Sequence, residues 1–398
     1  MSSNVPTLYL EINNSNYIFS VGQRDEYNNY KILHESVIPL AGIKDSRITE
    51  SDDIYYLIKE NIFVIEQKIK HSFKDIVLIL DNFNPKFINV SGYKKLNGSQ
   101  ILRENITYIL NKLKSYIDIN EPKKTIIHIF NSKFNLDNKK IDNLPIGLFG
   151  DFYSQELSFI LINTNDYRNL SNIIDKCKLK IKKILIKSYI DGVCSSEHNK
   201  NCETFYQVKF NENESKIFFF ENNSLKSEQR FKFGADIIIR DISKVTSLDV
   251  NTIKIILKEI DLSHDISENE LIDKKFFLNK NIRKIKKKLF YDIALARAYE
   301  IADLLIFNNT NFKNYKKYTK IIFFDLDEKS QLKGLDKIYQ RTFSKDGDFK
   351  LNFIDGFPSK TFLNTADRLV HFGWKKEVIP ISNSKKTLIR RIFESIFS

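Results

Sequence analysis

Twice along the chain a β-prone run, a short polar loop and a second β-prone run follow one another directly, and this repeated unit limits the fold more than any other feature. The first is LYLEI, NNSN and YIFSV at residues 8–21; the second is TFYQVKF, NENES and KIFFFE at 204–221, extended by the turn NNS and the run LKSEQRFKF. Asn and Ser tolerate tight turns, while β-branched and aromatic residues favour the flanking strands, so each unit reads as a hairpin. Two hairpins, each heading one half of the chain, predict an architectural duplication, although the residues themselves do not repeat. With 398 residues, 42% of them hydrophobic, the chain can bury several cores and is expected to hold two to four domains.

Between the hairpins, Ile54, Leu57, Ile58, Ile62, Ile65 and Ile69 recur at helical spacing and predict a helix over 51–71. From 75 to 163 the texture changes to short strands (IVLIL, KTIIHIF, LSFILIN) around one helix at 100–117, with a break at LPIGLFG, and this reads as an inserted α/β subdomain. A helix over 166–183 and a strand KILIKSYI lead to the second half, where 249–260, 281–307 and 334–343 read as helices and TKIIFFDLD as a strand.

The net charge of +13 suits nucleic acid or an anionic membrane, but the excess lysine is spread among many Ile and Asn residues rather than gathered in one patch. Cys177, Cys194 and Cys202 lack CxxC spacing and the six histidines are scattered, so neither a disulfide framework nor a zinc site is expected, in keeping with a reducing cytoplasm. The opening residues do not read as a signal peptide, and Asp292, Arg297, Glu300 and Asp303 interrupt the apolar stretch 289–307, so no conventional span is predicted.

The chain ends on KKTLIRRIFESIFS. At about 100° per residue, Leu388, Ile389, Ile392, Phe393, Ile396 and Phe397 fall within an arc of about 180°, with Arg390, Arg391 and Glu394 on the rest. Such a helix needs an apolar partner: its own core, a groove on another protein, or the lipid headgroup boundary. Residues 378–386, with Pro380 and small polar residues, read as a linker before it.

These stretches, in this order, resemble the bacterial actin-like cell-division family FtsA. LEINNSNYIFSVG resembles the family's first phosphate hairpin, IDNLPIGLFG a stretch near the end of its inserted subdomain, IFFFENNSLKSEQRFKFGAD its IAIFENGSLRYTRVIPFGGD, and SQLKGLDKI its adenosine helix. The tail resembles the family's membrane-targeting helix. The resemblance implies an α/β, actin-like (duplicated RNase H-like) fold with an inserted FtsA-type subdomain and a C-terminal amphipathic helix. It places a first actin-like subdomain at 1–73 and 164–200, the insert at 74–163, and a second actin-like subdomain at 201–240 and 310–377. A smaller partner-binding subdomain follows at 241–309, then the linker 378–386 and the helix 387–398.

The nucleotide positions depart from the family pattern. Actin-like loops cradle phosphate with bare backbone N–H groups and hold magnesium through carboxylates. Here Glu11, Asn13 and Asn16 stand in the first loop where Asp, Gly and Lys are expected. In the second, Lys209 and Lys216 replace two Asp, Asn211, Glu212 and Asn213 replace three Gly, and Glu214 and Ser215 replace two Thr. Thr252 takes the place of a ribose-binding Glu, and Asp327, Glu328 and Lys329 take the third glycine run. As isolated features these are ordinary polar turns. Together they imply a lost site: no cofactor is expected, and ATP with Mg is the ligand only if the degenerate cleft still binds. Lys209 and Lys216 flank Glu212 and Glu214, so protein ion pairs are expected to hold the cleft closed in place of nucleotide.

The implied function is that of an adaptor rather than an enzyme. It tethers the tubulin-like FtsZ to the inner face of the cytoplasmic membrane at the division site, self-assembles into filaments, and meets other divisome proteins through the insert. The implied lipid contacts are Leu388, Ile389, Arg390, Arg391, Ile392, Phe393, Ile396 and Phe397; Arg297 matches the family's contact for the FtsZ C-terminal peptide, which the basic run 283–288 would help steer. Three alternatives stay open: an actin-like pilus or secretion assembly factor, a basic nucleic-acid-binding protein, and an active actin-like ATPase.

Overall fold

The structure, a computed structural model, describes residues 5–81, 83–199, 202–262, 266–277, 284–326, 332–345, 349–374 and 376–378. The chain divides into two compact units, residues 1–203 with 221–226 and 357–398, and residues 204–220 with 227–356.

In the first unit β1 (Thr7–Ile12) and β2 (Asn16–Arg24) form the expected hairpin, pairing from Thr7 opposite Gly22 to Ile12 opposite Tyr17. β3 (Tyr30–Pro39) adds to β2, a two-residue pair β4 (Ile43–Lys44) and β5 (Arg47–Ile48) follows, and α1 (Ser51–Ile69) covers the sheet with Ile54, Ile58, Ile62 and Ile65 buried. The helix stops at Lys70, whose left-handed conformation (φ 56°) turns the chain out. β6 (Asp75–Leu80) lies parallel to β1, and it is apolar throughout after Asp75 because it is covered on both faces.

The insert then builds its own antiparallel sheet from β7 (Lys86–Lys95), β8 (Lys124–Leu136), β9 (Lys139–Ile141) and β10 (Phe152–Asn163), in the order β7-β10-β8-β9. α2 (Arg103–Asn120) packs on it through Ile106, Ile109, Leu110, Leu113 and Ile117. Gly92 of β7 makes that approach possible, since a Cβ there would meet the Ile109 side chain at 2.5 Å. α3 (Thr164–Lys176), capped by Asn163, leads to β11 (Lys180–Ile186), parallel to β6, and then to α4 (Lys187–His198).

The second unit opens with β12 (Phe205–Phe210), β13 (Ser215–Glu221) and β14 (Ser224–Phe231), followed by α5 (Asp236–Thr246), α6 (Val250–Glu259) and α7 (Lys287–Ala302), which closes in a π-helical turn at Asp303–Phe307. β15 (Ile321–Leu326), α8 (Leu335–Lys345) and β16 (Lys350–Ile354) complete it. Its sheet runs β14-β13-β12-β15-β16, and the first runs β3-β2-β1-β6-β11. In each, the leading strand pairs antiparallel with the second and parallel with the fourth, which is in turn parallel to the fifth. The duplication expected from the two hairpins is therefore a duplication of whole sheets, and the fold is actin-like.

Last comes α9 (Ser359–His371), which belongs to the first unit. Its buried Asp367 accepts from Arg24 Nε at 2.7 Å and from the Tyr9 hydroxyl at 2.9 Å. The strap beyond it joins the edge of β8: Asn131 N–H donates to the Lys376 carbonyl and Val378 N–H to the Ile129 carbonyl, both at 2.7 Å. Between them Glu377, 3% exposed, accepts from Lys183 Nζ and His128 Nδ1 at 2.9 Å each and from the Tyr189 hydroxyl at 3.2 Å. Burial opposes its charge, but Lys183 and His128 outweigh that and bring the carboxyl down to about 2. Burial also keeps His128 below its ordinary value against the pull of Glu377.

Several sequence expectations are corrected. Residues 75–80 belong to the first sheet and not to the insert, because β6 finds its partners in β1 and β11. Residues 357–377 join the first unit, because α9 is held by Arg24 and Tyr9. Val378 is 3% exposed in the core of the insert and is no linker residue. Residues 180–183 are strand rather than helix, and Lys187–Ile190 helix rather than strand. The helix expected from 281 is described from Lys287; just before it the Ile285 carbonyl accepts from Ile272 N–H at 2.9 Å rather than from a residue further along the helix, and residues 281–283 lie outside the described residues. Residues 379–398, with the predicted lipid contacts, lie outside the described residues. Among those described, no helix is long and apolar enough to cross a membrane.

Candidate functional site

The first loop is an Asx turn. Asn13 Oδ1 accepts the backbone N–H groups of Ser15 at 2.9 Å and Asn16 at 2.8 Å, while Asn13 N–H donates to the Asn16 carbonyl at 3.1 Å. The amides that would face a phosphate are therefore taken by the loop itself. Beside it Lys187, the first residue of α4, donates to Glu11 Oε1 at 2.5 Å, and Asn13 Nδ2 approaches the same oxygen at 3.4 Å. Burial works against the Lys187 charge, yet Glu11, Asp81 and Asp191 raise its pKa above the ordinary lysine value. Phe362 of α9 lies under the ammonium, with its ring centroid at 5.7 Å.

The second loop, in the other unit, closes in the same manner. Asn211 N–H donates to the Glu214 carbonyl at 3.0 Å, and the carbonyls of Asn211 and Glu212 accept from the amides of Ala235 and Asp236 at 3.0 and 2.9 Å. Gly234 permits this seal, since a Cβ there would stand 2.2 Å from the Asn211 carbonyl oxygen. Lys209 pairs with Asp325 at 3.7 Å, and Glu212 with Lys254 of α6 at 2.7 Å. Lys216, opposite Lys209 in the hairpin, is buried. Glu212 thus reaches a helix the sequence reading did not offer it. Thr252 turns to its own helix start, its amide and hydroxyl both donating to Asp249.

Next to α6 and the start of α8 lies a cavity of about 690 Å³, lined by Leu257, Leu332 and Phe353 with Lys254, Lys258 and Lys333 among its polar groups. It lies where the resemblance expects the adenosine helix, and neither its persistence nor these lysines was read from the sequence. Asp327, Glu328 and Lys329 lie outside the described residues.

The first loop does not fit a magnesium-bound phosphate: its amides are consumed by Asn13 and the Lys187 ammonium occupies the Glu11 carboxylate beside it. Among the described residues no group of three or more His, Cys, Asp or Glu side chains is arranged to hold a metal ion.

Arg297, on α7, is engaged within its own unit: its guanidinium pairs with Asp241 of α5 and with Glu300 one turn on, leaving the side chain 23% exposed. In the basic run, Lys287 and Lys288 pair with Glu270 and Glu268 at 2.6 Å each; Arg283 lies outside the described residues.

No protein-family profile matches the chain. Among curated proteins it is similar to the cell division protein FtsA of Buchnera aphidicola subsp. Schizaphis graminum, 20% identical over 59% of this chain and 56% of that one. It is also similar to the FtsA of Buchnera aphidicola subsp. Baizongia pistaciae, 24% identical over 78% of this chain and 73% of that one. The chain thus matches a little over half the length of the first relative. Among solved structures it is similar to a chain of a PilM-PilN type IV pilus biogenesis complex, with a TM-score of 0.53 at 10% identity, covering 92% of this chain and 99% of that one. Paired sheets of one topology, a four-stranded insert and this similarity to two FtsA sequences agree: the chain is an FtsA-like protein of actin-like fold.

Proposed function

We propose that this chain is a cell-division adaptor of the FtsA type, which tethers FtsZ to the inner face of the cytoplasmic membrane at the division site and assembles with copies of itself. The similarity to two FtsA sequences, on a fold that carries the insert between β6 and α3, is the observation that supports it most. The amphipathic pattern of 387–398 supports the lipid contact, through two phenylalanines for the acyl boundary and Arg390 and Arg391 for anionic headgroups. One such helix binds weakly and reversibly, so many tails on one assembly would supply the avidity. Arg297 is assigned to the FtsZ peptide, and the insert to further divisome proteins.

The test is sedimentation with anionic vesicles of the full chain and of a chain lacking residues 387–398. The full chain is expected in the pellet and the truncated chain in the supernatant; equal pelleting would overturn the reading. The fold is shared with a pilus-assembly protein, which gives a second reading. Pull-down of a pilus or secretion component in place of FtsZ would favour it.

A further inference from the structure

We propose that Lys187 is a resident cation: its ammonium neutralises the carboxylates of Glu11, Asp81 and Asp191 from within, where proteins of this fold would use a dissociable divalent metal, so the first unit is complete without metal or nucleotide. The inference stands apart from the tethering reading, since a protein that never met a lipid would show it equally. Three features carry it.

First, the ammonium is held directly, 2.5 Å from Glu11 Oε1, on the first residue of α4. Second, Asp81 follows directly on β6, which is parallel to β1, and Asp191 lies one turn along α4 from Lys187, so the fold brings two further carboxylates near enough to act on the same ammonium. The Asp81 amide donates to the Ile12 carbonyl at 2.9 Å, which fixes the Asp81 backbone beside the end of β1. Third, the aromatic face of Phe362 closes the cationic site from α9, an arrangement that suits an ammonium on a carbon stem. The Asx turn of Asn13 completes the picture: it takes the amides that a phosphate bridging to a metal would require.

A dissociable metal makes a protein respond to its concentration; a lysine does not. In thermal denaturation of the full chain, wild type should melt within about 1 °C in EDTA, in millimolar MgCl2 and in millimolar Mg-ATP. Lys187→Met should melt at least about 5 °C lower in EDTA. It should recover part of that loss in MgCl2, because a hydrated cation can then screen the negative charge that Lys187 no longer offsets at Glu11. Lys187→Met combined with Glu11→Gln should melt no lower than Lys187→Met alone, since the charge left unpaired is removed with its partner.

Stabilisation of wild type by several degrees in MgCl2 or Mg-ATP would overturn the proposal, as would a Lys187→Met protein that melts like wild type in EDTA. If Lys187→Met does not fold, Lys187→Arg serves in its place. It keeps the charge and should stay indifferent to MgCl2, and a magnesium-dependent melting temperature in that variant would equally overturn the assignment.

Discussion

Glu377 offers the sharpest test of the architecture. Replacing it by Ala leaves Lys183, whose side chain is 3% exposed, with the Leu369 carbonyl as its remaining partner among these bonds, and strands His128 and the Tyr189 hydroxyl. Breaking a buried pair by removing one member costs about 3–5 kcal/mol, because the other charge stays buried. An independent route gives a similar size. The carboxyl lies at about 2 in the folded chain. Against an ordinary Glu near 4.3, that corresponds to about 3 kcal/mol.

The sign follows from the direction of the shift. A depressed carboxyl contributes fully above its unfolded value, and the contribution fades as pH falls toward the folded value. Wild type should therefore exceed Glu377→Ala by about 3 kcal/mol at pH 7, and the gap should narrow between about pH 4.5 and pH 2. Trp374, the chain's only tryptophan, lies three residues from Glu377 in the same unit, so fluorescence in urea reads the relevant transition. A difference below about 1 kcal/mol at neutral pH, or one that stays constant down to pH 3, would refute the reasoning. Glu377→Leu combined with Lys183→Met should regain most of the loss, since apolar side chains of similar volume carry no desolvation cost.

Gly234→Ala should lower stability by about 2–4 kcal/mol in chemical denaturation, because its Cβ would collide with the backbone of the second loop. Asp367→Ala removes the acceptor of Arg24 and Tyr9 and should cost about 3–5 kcal/mol, measured on the same tryptophan. On the adaptor reading, Arg297→Ala should weaken binding of a peptide from the C-terminus of FtsZ about tenfold in a fluorescence-anisotropy titration. Unchanged peptide affinity would remove Arg297 from that role.

The hairpins were legible because alternation and turn chemistry are local: Asn13 and Asn211 announce their loops and the neighbouring residues announce strands. α4 was not. Ser188 to Ser196 is buried at every position, so it carries no periodic face, and KILIKSYI continues the β-branched texture of β11 without a break. β6 was assigned to the wrong sheet because membership depends on partners far along the chain, not on the run itself. The same distance hid the ionic centres. Lys187 follows a strand as a surface lysine would, and Glu377 meets partners 249 and 194 residues away. The loss of the nucleotide loops could be read from side chains standing at glycine positions, whereas the amide bookkeeping that explains it required the turn geometry.

The return of α9 to the opening sheet has a consequence for how the polypeptide is made. The second unit is nearly contiguous, residues 204–356 apart from a short excursion, and can be finished while the ribosome is still adding the remainder. The first unit is begun earlier but lacks Asp367 and Glu377 until the chain has passed through the whole of the second unit. Arg24 and Lys183 must wait for them as nascent, uncompensated charges, so a ribosome stalled before residue 359 would release a chain whose later unit is sound and whose earlier unit is not.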